Sequence, residues 1–114
     1  MANTFKLVNK AGVTGADVIY TPNAVTTIIL GLILGNTTTS QVTATVSLAS
    51  STGSRAGDNN ENNQTVELIT NTPIPAGSSL ELLSGNKVVM EDNDALSVSA
   101  TGSTDVALSI REIS

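Results

Sequence analysis

Cysteine, histidine and tryptophan are absent, and Phe5 and Tyr20 are the only aromatic side chains. Each absence narrows what the chain can do. Without cysteine there is no disulfide framework and no thiolate metal site. Without histidine the commonest general base and transition-metal ligand is missing. Serines and threonines are plentiful, but no spacing sets one beside Lys6, Lys10 or Lys87 as a Ser–Lys pair. Charge is scarce as well: five basic and ten acidic residues in 114 give a net charge of -5. That balance argues against nucleic acid, whose binding needs basic patches to displace counterions. The longest apolar run, Ile28 to Leu34, stops after seven residues at "GN", well short of the roughly 18 that a membrane helix requires. "MANTFKLVNK" has no apolar signal-peptide core, so a chain that is not exported is expected. These exclusions leave a non-enzymatic protein with no cofactor, no metal, no nucleic-acid partner and no membrane span.

What remains is period two. In "QVTATVSL" the residues Val42, Ala44, Val46 and Leu48 alternate with Thr43, Thr45 and Ser47. "ALSVSA" and "DVALSIRE" repeat the pattern. Such alternation turns one apolar face inward and one polar face outward, as in half-buried antiparallel strands. The pattern predicts about eight strands: 4–9, 17–21, 26–35, 41–50, 65–71, 79–83, 95–100 and 105–113, with a further short one at 87–90. "NKAGVTG", "TPN", "GNTTTS", "TPIPAGS", "SGN", "EDND" and "TGSTD" supply turn chemistry between them. The fold class is therefore all-β, an antiparallel β-sandwich or jelly roll in a single domain spanning 1–114. "STGSRAGDNNENNQT" reads as a long hairpin tip at about 51–64. A core without aromatics buries less area per residue, which favours an oligomer.

The apolar run "TTIILGLILGN" is too short for a helix buried all round. As a strand it sets Ile28, Leu30, Leu32 and Leu34 on one face and Ile29, Gly31 and Ile33 on the other. Both faces are apolar, so one fills the core and the other needs a cover from this chain or from a neighbouring subunit. Gly31 would let another backbone approach closely.

The remaining motifs read as ordinary surface chemistry. "DNNENN" has oxygen side chains at three places of a calcium loop, but lacks its glycine, its closing glutamate and its helices. "EDND" gathers Glu91, Asp92 and Asp94, yet a glycosidase would add aromatic platforms, and a turn uses Asp and Asn for their own hydrogen bonding. "GNK" and "AGSS" precede no helix that could hold a phosphate. "NTT" and "NQT" match the glycosylation triplet only by composition.

Two longer stretches carry a resemblance. "VIYTPNAVTTIILGLILGNTTTSQVTATVSL" and "TPIPAGSSLELLSGNKVVMEDNDALSVSATGSTDVALSIREIS" together resemble small structural proteins of tailed bacteriophages, especially marine ones. The shared features are a short strand and "TP" turn leading to an apolar strand ending in Asn, a "PIPAG" turn, an acidic turn, and a closing "SIREI". The resemblance implies a β-sandwich virion protein assembled in the bacterial host cytoplasm. It would decorate or cement the capsid as a homotrimer, in contact with itself and with the major capsid protein or other virion proteins. Alternatives are a neck, tail or fibre-base component, or a receptor- or carbohydrate-binding module on the virion surface. The resemblance carries no catalytic residues. Candidate subunit or capsid contacts are Phe5, Ile29, Gly31 and Ile33, with Arg55 in the tip.

Overall fold

From Leu96 to Ile110 nearly every second residue is inward and buried: Leu96, Val98, Ala100, Thr104, Val106, Leu108 and Ile110. In the computed structural model, which describes residues 3–50, 64–83 and 87–114, this stretch is one long strand through the middle of the molecule. The elements are β1 (Asn3–Tyr20), β2 (Thr26–Asn36), β3 (Val42–Ala49), β4 (Thr65–Ile74), β5 (Ser79–Leu82), β6 (Val88–Met90) and β7 (Ala95–Ile113). Among the described residues all pairings are antiparallel and no helix occurs.

The strand order is β4-β3-β7-β2-β5, with β1 added on β7 and β6 on β2. β3 pairs with Ala95–Ala100 of β7, whereas β2 pairs with Thr104–Ile113. β1 runs along both halves of β7, from Asn3↔Ile113 to Tyr20↔Leu96. The sheet therefore divides at the middle of β1 and β7 and folds over into two layers. One layer holds β4, β3 and the first half of β7. The other holds β5, β6, β2 and the second half of β7. Between them lie Ile29, Leu32 and Leu34 of β2, Val42, Ala44 and Val46 of β3, Ile74 and Met90, and the inward row of β7. Each fully buried Leu or Ile in such a core contributes about 1.5–3 kcal/mol. The core is aliphatic, with Tyr20 packed against its rim.

All the expected strands are present, but two pairs of them are fused. Segments 4–9 and 17–21 are the two halves of β1, and 95–100 and 105–113 are the two halves of β7. "NKAGVTG" and "TGSTD" are bends in a continuous ribbon, not chain reversals. Gly12 and Gly15 take positive φ at the bend in β1. Opposite them, a Cβ on Gly102 would lie 2.6 Å from Val42 Cγ1, so only glycine fits where β3 crosses close. Glycine marks a corner in a strand as readily as a turn between strands.

A second difference concerns the apolar run. Ile29 pairs with Ile110 and Gly31 with Ser109, which leaves Leu30 as an extra residue in β2. This bulge reverses the phase of the strand. Thr27 and Ile29 point inward before it, and Leu32, Leu34 and Asn36 point inward after it. At the far end, Asn36 Nδ2 donates to the carbonyls of Ser40 (2.8 Å) and Ile74 (2.9 Å), tying β2 to the end of β4.

Candidate interaction surface

Antiparallel partners share a face, so register alone assembles the outer surface of the second layer. Its rows are Phe5–Arg111–Ile28–Val89, then Leu7–Ser109–Gly31, then Asn9–Ala107–Ile33–Glu81, then Asp105–Gly35–Ser79. Four large apolar side chains stand out on this face: Phe5 (70% exposed), Leu7 (60%), Val89 (55%) and Ile33 (44%). Two shallow grooves flank Ile33. One, of about 280 Å³, is bordered by Leu7, Leu30, Gly31, Glu81 and Ser109. The other, of about 340 Å³, is bordered by Asn9, Ala11, Gly35 and Asp105. The floor is made of small residues, Gly31, Gly35, Ala107 and Ser109.

Arg111 and Asp105 sit at opposite ends of this face, and Glu81 stands at its β5 edge. The Arg111 guanidinium lies 5.9 Å from the centroid of the Phe5 ring, a cation–π contact. Its Nε is buried with no hydrogen-bond partner among the described residues. At the other end, Asp105 Oδ1 accepts from the Gly12 amide at 2.9 Å, which secures the bend in β1.

Of the expected contact residues, Phe5, Gly31 and Ile33 come together on this face. Ile29 does not: it is fully buried in the core, because the Leu30 bulge turns it inward. Arg55, with residues 51–63 of the expected hairpin tip and its "DNNENN" motif at 58–63, lies outside the described residues. Leu7, Val89 and Arg111 complete the surface and were not among the expected contacts. The alternation of Phe5, Leu7 and Asn9 with Lys6, Val8 and Lys10 was the available signal for Leu7.

A polar cluster closes the open edge of the sandwich on the inner side of the same layer. Tyr20 Oη donates to Glu112 Oε2 at 2.6 Å. With its one proton so engaged, Tyr20 Oη accepts from the buried Thr27 hydroxyl at 2.7 Å. Lys6 Nζ meets Glu112 Oε1 at 2.8 Å. Burial, and then the hydrogen bond to Glu112, push the Tyr20 phenol up to about 12. The bond from Lys6, and then that from Tyr20, hold the Glu112 carboxyl below its ordinary range. A phenol kept protonated and a carboxylate engaged on both oxygens make a clamp that joins the two ends of β1. The acidic turn is similarly occupied by backbone amides: Asp94 Oδ2 accepts from Glu91 N within the turn, and Asp92 Oδ1 from Ala24 N in the β1–β2 connection.

No family model matches this chain, and no curated protein does. A solved structure from Bacillus endospore appendages, described as a novel family of disulfide-linked pili, is similar at 16% identity, covering 96% of this chain and 85% of that one, with a TM-score of 0.44. A likeness of that degree decides nothing about fold or function.

Proposed function

We propose that this chain is a non-enzymatic structural subunit of a bacteriophage virion, decorating or cementing the capsid shell. The observation that carries this reading is the exposed apolar face of Phe5, Leu7, Ile33 and Val89. A monomer that stays in solution gains nothing from such a patch, whereas a subunit of a shell buries it against neighbours. The virion setting itself comes from the sequence resemblance in the turns and strands after Asp17. Assembly takes place in the host cytoplasm, and the partners are the shell protein and other copies of the chain. A neck, tail or fibre-base position uses the same face and is separated from the capsid by stoichiometry alone. The receptor- or carbohydrate-binding alternative calls for an aromatic-lined groove. Neither groove beside Ile33 is lined by Phe5 or Tyr20, so the packing role is favoured.

The test is the copy number of this chain in purified virions of the phage that encodes it, measured by quantitative mass spectrometry against the major shell subunit. A ratio near one supports decoration or cement. A few copies per particle move the protein to the neck, tail or fibre base, and none removes the virion reading.

A further inference from the structure

The relief and charge of the outer face fit one occupant, another molecule of the same sequence. We propose that two copies of this chain dock through this face about a two-fold axis that crosses β7 near Leu108, pairing Arg111 of one copy with Asp105 of the other. This goes beyond the virion reading and does not depend on it.

Strand edges are the usual route by which β-proteins associate, and here they are blunted. The free edge of β1 carries Lys6 and Lys10 in the inward rows opposite Ile110 and Val106, and its register breaks between Lys10 and Val13, again by Gly15, and between Val18 and Tyr20. β4 has Pro73 near its end and Asn71 at positive φ. β5 and β6 are four and three residues long. Charges, bulges, proline and short strands all oppose edge-to-edge pairing. Association is left to the face.

The face is complementary to itself under one operation. An axis in the plane of the sheet, perpendicular to the strands, sets each strand over its own copy running the opposite way. The row of Ile33 then lies over the row of Gly31, and the row of Leu7 over that of Asn9. Ile33 enters the 280 Å³ groove at Gly31, where a Cβ would meet nothing within 4 Å. Leu7 enters the 340 Å³ groove bordered by Asn9 and Ala11. The same operation brings the row of Arg111 over that of Asp105. These residues stand about 20 Å apart on one copy, which is too far for them to meet without a partner. Arg111 has no ion pair of its own among the described residues, while Asp105 has only its Oδ1 engaged, by Gly12 N. Each dimer gains two such pairs. This layout matches a two-fold and not the threefold implied by the resemblance, because each row meets its mirror partner only in a closed pair.

Four strands by six residues cover about 400 Å² per copy, roughly half of what a stable complex buries on each side. The dimer is therefore weak in dilute solution and dominant only where copies are held close.

Sedimentation velocity on the full chain, from about 10 μM to about 1 mM, tests this. The expected result is a reversible dimer that accumulates toward the upper concentrations. Leu7→Lys and Ile33→Lys abolish it without lowering the melting temperature, since both side chains are exposed. Arg111→Asp and Asp105→Arg each weaken it by roughly tenfold, and the double reversal restores it. If Asp105→Arg does not fold, for want of its contact with Gly12, the other three variants carry the test. A monomer at every concentration overturns the proposal, as does a dimer indifferent to Leu7→Lys and Ile33→Lys. Failure of the double reversal, with both single variants folded, overturns it too. Loss of particle binding in those lysine variants without any dimer would make the shell subunit the occupant, sinking self-docking and leaving the virion reading intact. A dimer from a chain absent from virions does the reverse.

Discussion

Tyr20 is the only tyrosine and the chain has no tryptophan, so its ionisation can be followed alone by the ultraviolet absorbance of tyrosinate. The prediction is a titration near 12 in the folded protein, in place of the ordinary value of 10.0. Burial is the larger cause and the Glu112 bond the next. Glu112→Gln should therefore bring the midpoint down only part of the way. The linked effect on stability has a definite sign. A folded-state pKa raised above the unfolded one stabilises fully below pH 10 and loses that contribution as pH climbs toward 12. Tyr20→Phe abolishes this alkaline loss but weakens the fold at neutral pH. It removes a 2.6 Å bond to a carboxylate and leaves the fully buried Thr27 hydroxyl without a partner. The cost is about 2 kcal/mol, or roughly 8 °C in melting temperature for a domain of this size. On the acid side Glu112 works the other way, because its folded pKa is lowered. Its contribution is present above the ordinary carboxylate range and fades as pH falls through the folded value, so the gap between wild type and Tyr20→Phe narrows in acid. A wild-type midpoint near 10 with the protein still folded, or a Tyr20→Phe variant as stable as wild type at pH 7, would refute the clamp.

Three further outcomes are expected. Leu108→Ala, in the middle of β7 and fully buried, should lose about 2–5 kcal/mol in urea unfolding. Gly102→Ala places a methyl 2.6 Å from Val42 Cγ1 and should cost about 1–3 kcal/mol; Val42→Ala in the same chain should recover part of that in a double-mutant cycle. Asn36→Ala removes donors to the Ser40 and Ile74 carbonyls and should cost about 2 kcal/mol, with amide exchange at the β2–β4 junction rising in step.

The fold class was legible because Val42–Leu48, Leu96–Ala100 and Val106–Ile110 each alternate without a break, and only a pleated strand presents that period. Gly12, Gly15 and Gly102 were legible as breaks but not as kinds of break. The residues that permit a chain to reverse also permit a paired ribbon to bend, and the difference lies in whether the partner strand bends alongside. The Leu30 bulge was hidden for a related reason. In a run apolar at every position a slip of one residue leaves no mark in composition, so Ile29 and Leu30 cannot be told apart until Ile110 and Ser109 fix the register. Gly31 and Ile33 share a face by their spacing, and Phe5 reaches that face only through the pairing of β1 with β7. Arg111 joins them only through its pairing across β7, a long-range relation that no local pattern encodes. The Tyr20–Glu112 clamp spans 92 positions and was invisible for the same reason.

The place of β7 also governs how the chain reaches its fold. β2 and β3 precede β7 in the chain and do not pair with each other, and both pair with β7. Until it emerges, the apolar row of β2 has a single short neighbour in β5 and another in β6. Folding thus waits for β7 and, being dominated by distant pairings, belongs to the millisecond-to-second class. A nascent chain stalled before Ala95 leaves its greasiest strand flanked only by the short β5 and β6, and the addition of β7 converts an aggregation hazard into a closed sandwich.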